Sequence, residues 1–210
     1  MATRYEPQGS QAEYEPGSRG RVPRNLLGIR SVREMAQRES VALITAMRRM
    51  IDETRDDQRF AAEDLMRMHR TWLGEIYVWA GEYRQVNMQK GGFMFAAAHQ
   101  VPGLMRDWEQ GSLRQFTPCR FQGIDEQARA MAVVHAELIL IHPFRDGNGR
   151  CARALASLMG FQAGLPGLDF KGIRGEKKRR YIAAVHAALG RDYEPMTEVF
   201  RGVIKRTHRV

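Results

Sequence analysis

His142-Pro143-Phe144-Arg145-Asp146-Gly147-Asn148-Gly149-Arg150-Cys151-Ala152-Arg153 lies between two alanine-rich apolar runs, residues 128 to 141 and 151 to 163. Runs of that length and composition read as buried helices. The dodecapeptide therefore reads as the loop joining them, with its arginines at the start of the second helix. It combines an imidazole, a carboxylate, a glycine-rich turn and two cationic forks. Gly147 and Gly149 can take backbone angles closed to residues with a Cβ. A Gly-Asn-Gly turn feeding a helix can aim several N–H groups at one anion, and the helix N-terminus adds unpaired donors and partial positive charge. Arg150 and Arg153 are three apart and share a helix face. Their planar guanidinium groups suit phosphate oxygens. Asp146 is a hard oxygen ligand of the kind that holds Mg²⁺ together with a substrate's own phosphates. His142 has an ordinary pKa near neutrality, which suits a general base. Phe144 carries no chemistry and reads as the anchor that pins the loop into the core.

Each piece alone has a plainer explanation. A His before a Pro often just ends a helix. Gly-Asn-Gly is commonly a turn, and helix arginines are commonly solvated. A calcium loop starting at Asp146 would need Gly at its sixth position and Glu at its twelfth, where this chain has Cys151 and Ser157. The combination decides the matter. With each position matched about once in twenty, eight specified residues in twelve arise by chance on the order of once in 10⁸ chains of this length.

The remaining sequence fits an all-α fold carrying one small hairpin. Met35, Ala42, Leu43, Ala46, Met47, Met50 and Ile51 share one helical face, and Leu65, Met68, His69, Trp72, Leu73 and Ile76 share another. His69 reads as a core histidine or one that supports the site, not as a ligand. Around Gly91-Gly92, the β-prone Tyr83, Val86, Phe93 and Phe95 predict a short hairpin. Further helices are expected near residues 100 to 110, 125 to 141, 150 to 163, 175 to 189 and 196 to 206, with Gly164 and Gly190 as C-caps. Residues 1 to 24, rich in Gly, Pro, Ser and charged residues, predict a flexible basic arm, with a single domain over residues 25 to 210.

The net charge of +9 suits an anionic partner. Nucleic acid fits less well than a nucleotide. Only residues 177 to 180 form a basic run, and aromatic residues are not interleaved with it. Cys119 and Cys151 give neither a metal spacing nor a disulfide framework, which suits a reducing cytoplasm. No apolar leader or membrane-length run is present, so no membrane role is expected.

The dodecapeptide resembles the motif of the Fic family, His-x-Phe-x-(Asp/Glu)-Gly-Asn-Gly-Arg-x-x-Arg, at every specified position. Upstream, Trp79-Ala80-Gly81-Glu82-Tyr83-Arg84 is similar to the family's Trp-Ala-Gly segment. Lys90-Gly91-Gly92-Phe93-Met94-Phe95-Ala96 is similar to its flap hairpin. The resemblance covers roughly residues 60 to 190 and implies a Fic-type helical bundle with a β-hairpin flap. It implies a protein AMP transferase that moves AMP from Mg–ATP to a Ser, Thr or Tyr hydroxyl and releases pyrophosphate. In that reading His142 is the base, Asp146 holds Mg²⁺, and Gly147, Asn148 and Gly149 cradle the α- and β-phosphates. Arg150 contacts the phosphates and Arg153 holds the γ-phosphate, while Lys90, Gly91, Gly92 and Phe93 dock the target.

Two alternatives stand beside it. One is a phosphotransferase resembling Doc toxins, which carry Lys where this chain has Gly149. The other is a non-catalytic nucleotide- or nucleic-acid-binding module, which would have no need of His142. Many family members carry an inhibitory helix reading (Ser/Thr)-x-x-x-Glu-(Gly/Asn). In this chain only Thr71 has a Glu four residues on, and Glu75 is followed by Ile76. The resemblance is thus to the toxin kind, restrained by a separate small antitoxin carrying that helix beside residues 125 to 153. Members of that kind act on type II topoisomerase subunits.

Overall fold

The computed structural model describes residue 11 and residues 13 to 207. In chain order the helices are α1 (Val32–Glu53), α2 (Ala62–Leu73), α3 (Val101–Trp108), α4 (Arg114–Phe116), α5 (Ile124–Ile141), α6 (Asn148–Gln162), α7 (Gly175–Ala187) and α8 (Glu194–Thr207). A π-helical stretch, Glu109–Leu113, joins α3 to α4. The strands β1 (Gln89–Lys90) and β2 (Phe93–Met94) form an antiparallel pair, with Lys90 opposite Phe93. The fold is all-α with one hairpin, as the sequence pattern predicts. No helix among the described residues is long and apolar enough to cross a membrane.

The chain divides into two compact units. The first comprises residues 1 to 52, 62 to 105 and 141 to 148; the second comprises 53 to 61, 106 to 140 and 149 to 210.

In the first unit, Ser31 opens α1. Its hydroxyl accepts the Glu34 N–H at 3.4 Å, one half of a Ser-x-x-Glu capping pair. Met35, Glu39, Ala46 and Met50 are the buried stripe of α1, while Ile51, expected on that face, is exposed. Leu65, Met68, His69, Trp72 and Leu73 line the buried face of α2. Fully burying Leu65 or Leu73 is worth about 1.5–3 kcal/mol each. The Trp72 indole donates to the Glu39 carbonyl at 2.8 Å, and the Tyr77 hydroxyl donates to the Glu39 carboxylate at 2.7 Å. The main chain and the carboxylate of the buried Glu39 thus each receive a hydrogen bond.

Residues 13 to 24 correct the expected arm. They form a closed turn, with a bridge between Tyr14 and Pro23 and the Glu15 N–H donating to Val22 O at 2.8 Å. Val22 is buried, and the Glu15 carboxylate accepts the Asn25 N–H at 3.2 Å. Asn25 in turn accepts from the N–H groups of Leu27 and Ile29. Side-chain-to-backbone bonds of this kind leave no hydrophobic period to read. Residues 1 to 10 and 12 lie outside the described residues.

In the second unit, α5 is buried on nearly every side, with small residues (Ala128, Ala130, Ala132, Ala136) among larger ones (Met131, Val134, Leu138). Glu137 on α5 accepts from the hydroxyls of Ser112 and Tyr193, and the Trp108 indole donates to Val134 O at 3.2 Å. α7 packs against α8. Gly164 ends α6 as the sequence predicts: it sits at φ +71°, and the Leu165 N–H reaches Gly160 O at 2.9 Å. After α7 the left-handed residue is Arg191, not Gly190, with the Asp192 N–H reaching Ala187 O at 3.3 Å. The cap thus falls one residue later than the glycine suggested.

Candidate active site

The motif loop begins where α5 ends. His142 takes a left-handed backbone with φ +54°, a region in which His is enriched among non-glycine residues. Its imidazole is only 4% exposed and lies flat against Phe95, with ring centroids 3.7 Å apart. Phe95 leaves the hairpin with its N–H bonded to Met88 O at 3.1 Å, and it packs on the buried Val86 and Met88. A phenylalanine at the foot of the flap therefore fixes the plane of the candidate base.

Phe144 is fully buried and stacks on His69 at 4.0 Å. His69 accepts the Gly81 N–H on Nδ1 at 2.8 Å, so its proton sits on Nε2, which donates to the Asp146 carbonyl at 3.0 Å. One buried imidazole thus joins the Trp-Ala-Gly segment to the motif loop, the supporting role that the sequence allowed. Asn148 closes the loop from the other end. Its amide oxygen accepts the Phe144 N–H and its amide nitrogen donates to Phe144 O, both at 2.8 Å. The Asn148 side chain therefore holds the loop's shape, and its main chain is what it can offer a phosphate.

Gly147 sits at φ +84°, and a Cβ there would meet the Trp72 ring at 2.7 Å. Conformation and space both require glycine. Its N–H donates to Asp146 Oδ1 at 2.6 Å, which orients the half-buried carboxylate. Arg145, between Phe144 and Asp146, is also buried. It donates from Nε to Gln11 O at 2.6 Å and lies over the Tyr14 ring.

α6 starts at Asn148, two residues earlier than the pattern suggested. Arg150 therefore stands in its first turn and Arg153 in its second. From Gly149 onward the helix belongs to the second unit. There, α5 contributes His135, whose Nε2 lies 2.9 Å from the Tyr181 hydroxyl. Burial pushes the His135 pKa down to about 3, with the positive charge of Arg153 adding to the effect. This imidazole is neutral at any physiological pH. Burial likewise pushes Tyr181 up to about 12. Sequence reasoning passed over both residues. Among the described residues, no cluster of three or more His, Cys, Asp or Glu side chains could hold a metal by itself.

Residues 59 to 159 match the model of the Fic/DOC family. The chain carries a Fic domain. It is 31% identical over 143 residues to protein adenylyltransferase fic-1 of Caenorhabditis briggsae, a match covering 68% of this chain and 27% of that protein. It is 29% identical over 160 residues to protein adenylyltransferase VbhT of Bartonella schoenbuchensis, covering 75% and 32%. The chain spans less than a third of the length of these curated relatives. Among solved structures, the AMPPNP-bound BepC protein of Bartonella tribocorum shares the fold, with a TM-score of 0.73 at 24% identity, covering 91% of this chain and 95% of that one. The ADP-bound N-terminal Fic domain of a VirB-translocated effector from Bartonella quintana is similar at 25% identity, with a TM-score of 0.71 and coverage of 86% and 89%.

Proposed function

We propose that this chain is a protein adenylyltransferase that moves AMP from Mg–ATP to a Ser, Thr or Tyr hydroxyl of a target protein. The observation that carries the proposal is His142, held in a fixed ring plane at the head of the intact Fic motif. Relatives similar to this chain are named protein adenylyltransferases. In the step we envisage, the target hydroxyl oxygen attacks the α-phosphorus and His142 takes its proton. The bond from the α-phosphorus to the oxygen bridging to the β-phosphate breaks, and pyrophosphate leaves with that electron pair. The main-chain N–H groups of Asn148 and Gly149 suit the α- and β-phosphates, because the first N–H groups of a helix lack intrahelical acceptors, and Gly147, whose own N–H donates to Asp146 Oδ1, supplies the turn that aims them. Arg150 and Arg153 suit the outer phosphates.

The donor chemistry fits Mg²⁺. Asp146 is a hard, partly exposed carboxylate, and Mg²⁺ is commonly held by one or two carboxylates plus substrate phosphates. When bound, it would offset the charge of the triphosphate. Transfer of the γ-phosphate is disfavoured because Gly149 stands where Doc-like phosphotransferases carry Lys. Incubation with Mg–ATP and lysate, followed by mass spectrometry, tests the reading. AMP esters on hydroxyl side chains are expected, and phosphoryl groups instead of AMP would overturn it.

The flap supplies the proposed docking edge. Gly91 and Gly92 form its two-residue turn, both at positive φ and both exposed beside Lys90. Phe93 is half-buried and meets Phe95 edge-on at 5.3 Å. An extended target segment could add to this edge by main-chain hydrogen bonds. We expect Phe93→Ala to raise the target KM at least about tenfold, as loss of an interface anchor does, with ATP affinity nearly unchanged. Equal losses in both, together with a lowered Tm, would make Phe93 a structural residue only.

We further infer restraint in trans. Glu75, which completes the chain's only Ser/Thr-x-x-x-Glu spacing, is exposed and pairs with Arg38 at 3.7 Å. A small partner carrying Ser/Thr-x-x-x-Glu-Gly/Asn would deliver its Glu to Arg153 and displace the γ-phosphate. Transfer by the isolated chain should be robust and should fall about 10²-fold with such a partner, but not when the partner's Glu is changed to Gly. A chain that becomes active only after its own termini are trimmed would place the restraint in cis.

A further inference from the structure

Arg84 is 1% exposed, and among the described residues no carboxylate accepts a hydrogen bond from it. Its guanidinium bonds only main-chain carbonyls. Nε donates to His142 O at 2.7 Å, Nη1 donates to Val86 O at 2.8 Å, and Nη2 donates to both Ala96 O and Ile141 O. Its own N–H donates to Pro143 O at 2.8 Å. These acceptors fall into two groups. Ile141, His142 and Pro143 are consecutive and span the left-handed bend that carries the candidate base. Val86 and Ala96 are the two feet of the flap, one before β1 and one after β2.

We infer that Arg84 is a positioning residue that locks the flap to the backbone of His142, so that one guanidinium sets the register between the docked target and its base. The geometry leaves little room for another residue. A guanidinium presents five N–H donors in a fixed planar fork, whereas an ammonium presents three on a freely rotating head. A lysine would keep the charge and lose the plane. Bonds from a cation to buried carbonyls are charge-assisted. Burial lowers the Arg84 pKa only to about 10, so the fork stays charged at neutral pH. The inference rests on the reading of His142 as the base, but its structural half stands apart from activity.

Arg84→Lys and the neutral, similarly long Arg84→Met test it in the full chain. Hydrogen exchange and the His142 imidazole NMR resonance are followed, alongside transfer kinetics. We expect residues 86 to 96 to exchange at least about tenfold faster, the equilibrium equivalent of losing one hydrogen bond to a charged group. The His142 resonance should shift, while protection in α1 and α2 stays unchanged. Transfer kcat should fall on the order of 10²-fold with the ATP Kd within about twofold, and Lys should rescue little. An unchanged flap and an unchanged His142 resonance in a folded variant would overturn the proposal. So would loss of protection throughout the first unit in both variants, since Arg84 would then be a general fold residue. If the wild-type chain transfers no AMP, the functional reading fails, while the exchange and resonance results still decide the role of Arg84.

Discussion

His142→Ala is expected to lower AMP transfer by roughly 10² to 10⁴, the range seen when a positioned general base is removed. The fold should survive. Arg84 grips main-chain carbonyls at residues 141 to 143, and alanine keeps all of them. His69, Phe144 and Asn148 still hold the loop. The substitution removes the ring stacked on Phe95. ATP affinity should therefore change by no more than a few-fold, because the N–H groups of Asn148 and Gly149 do not depend on that ring. Equilibrium binding of a non-hydrolysable ATP analogue, measured beside single-turnover transfer, separates the two effects. A variant with near-wild-type transfer would remove His142 from the mechanism.

Asp146→Ala is expected to abolish the Mg²⁺-dependent part of transfer, a loss of about 10³-fold if several kcal/mol of charge stabilisation disappear. Asp146 also orders the turn, since its Oδ1 accepts the Gly147 N–H at 2.6 Å. Alanine removes both roles at once, so Asp146→Asn is the control. Its amide oxygen can keep the Gly147 bond without the charge. If Asn is as inactive as Ala, the charge is what matters. If Asn restores transfer with an unchanged Mg²⁺ requirement, the carboxylate serves only the turn. The measurement is the rate of transfer against Mg²⁺ concentration for all three proteins.

The motif, the hairpin and most helices were legible because each has a local signature. Gly91-Gly92 allows a two-residue turn, and the apolar period of α2 marks its buried face. The start of α6 was misplaced because Gly147 and Gly149 depress helix propensity by about 1 kcal/mol each. The helix begins among them all the same. The role of Arg84 has no signature in the sequence. Arginine is ordinarily a surface residue, and the carbonyls of Ile141 and His142 that it grips lie more than fifty residues along the chain from it. His69 was visible as a buried position, but its two bonds to Gly81 and Asp146 are tertiary facts. The turn at residues 13 to 24 was hidden for the same reason. Buried polar residues hold it together, and polar composition alone reads as disorder.

Transfer of the adenylyl group, not the terminal phosphate, to protein is the step on which the proposed function stands. It is tested most directly by parallel reactions of the isolated chain with ATP labelled at the α- or the γ-phosphate, in the presence of Mg²⁺ and lysate protein. The α-label should become covalently attached to protein, the γ-label should appear only in pyrophosphate, and both outcomes should vanish with His142→Ala. Attachment of γ-label, or of neither label while ATP still binds, would contradict it.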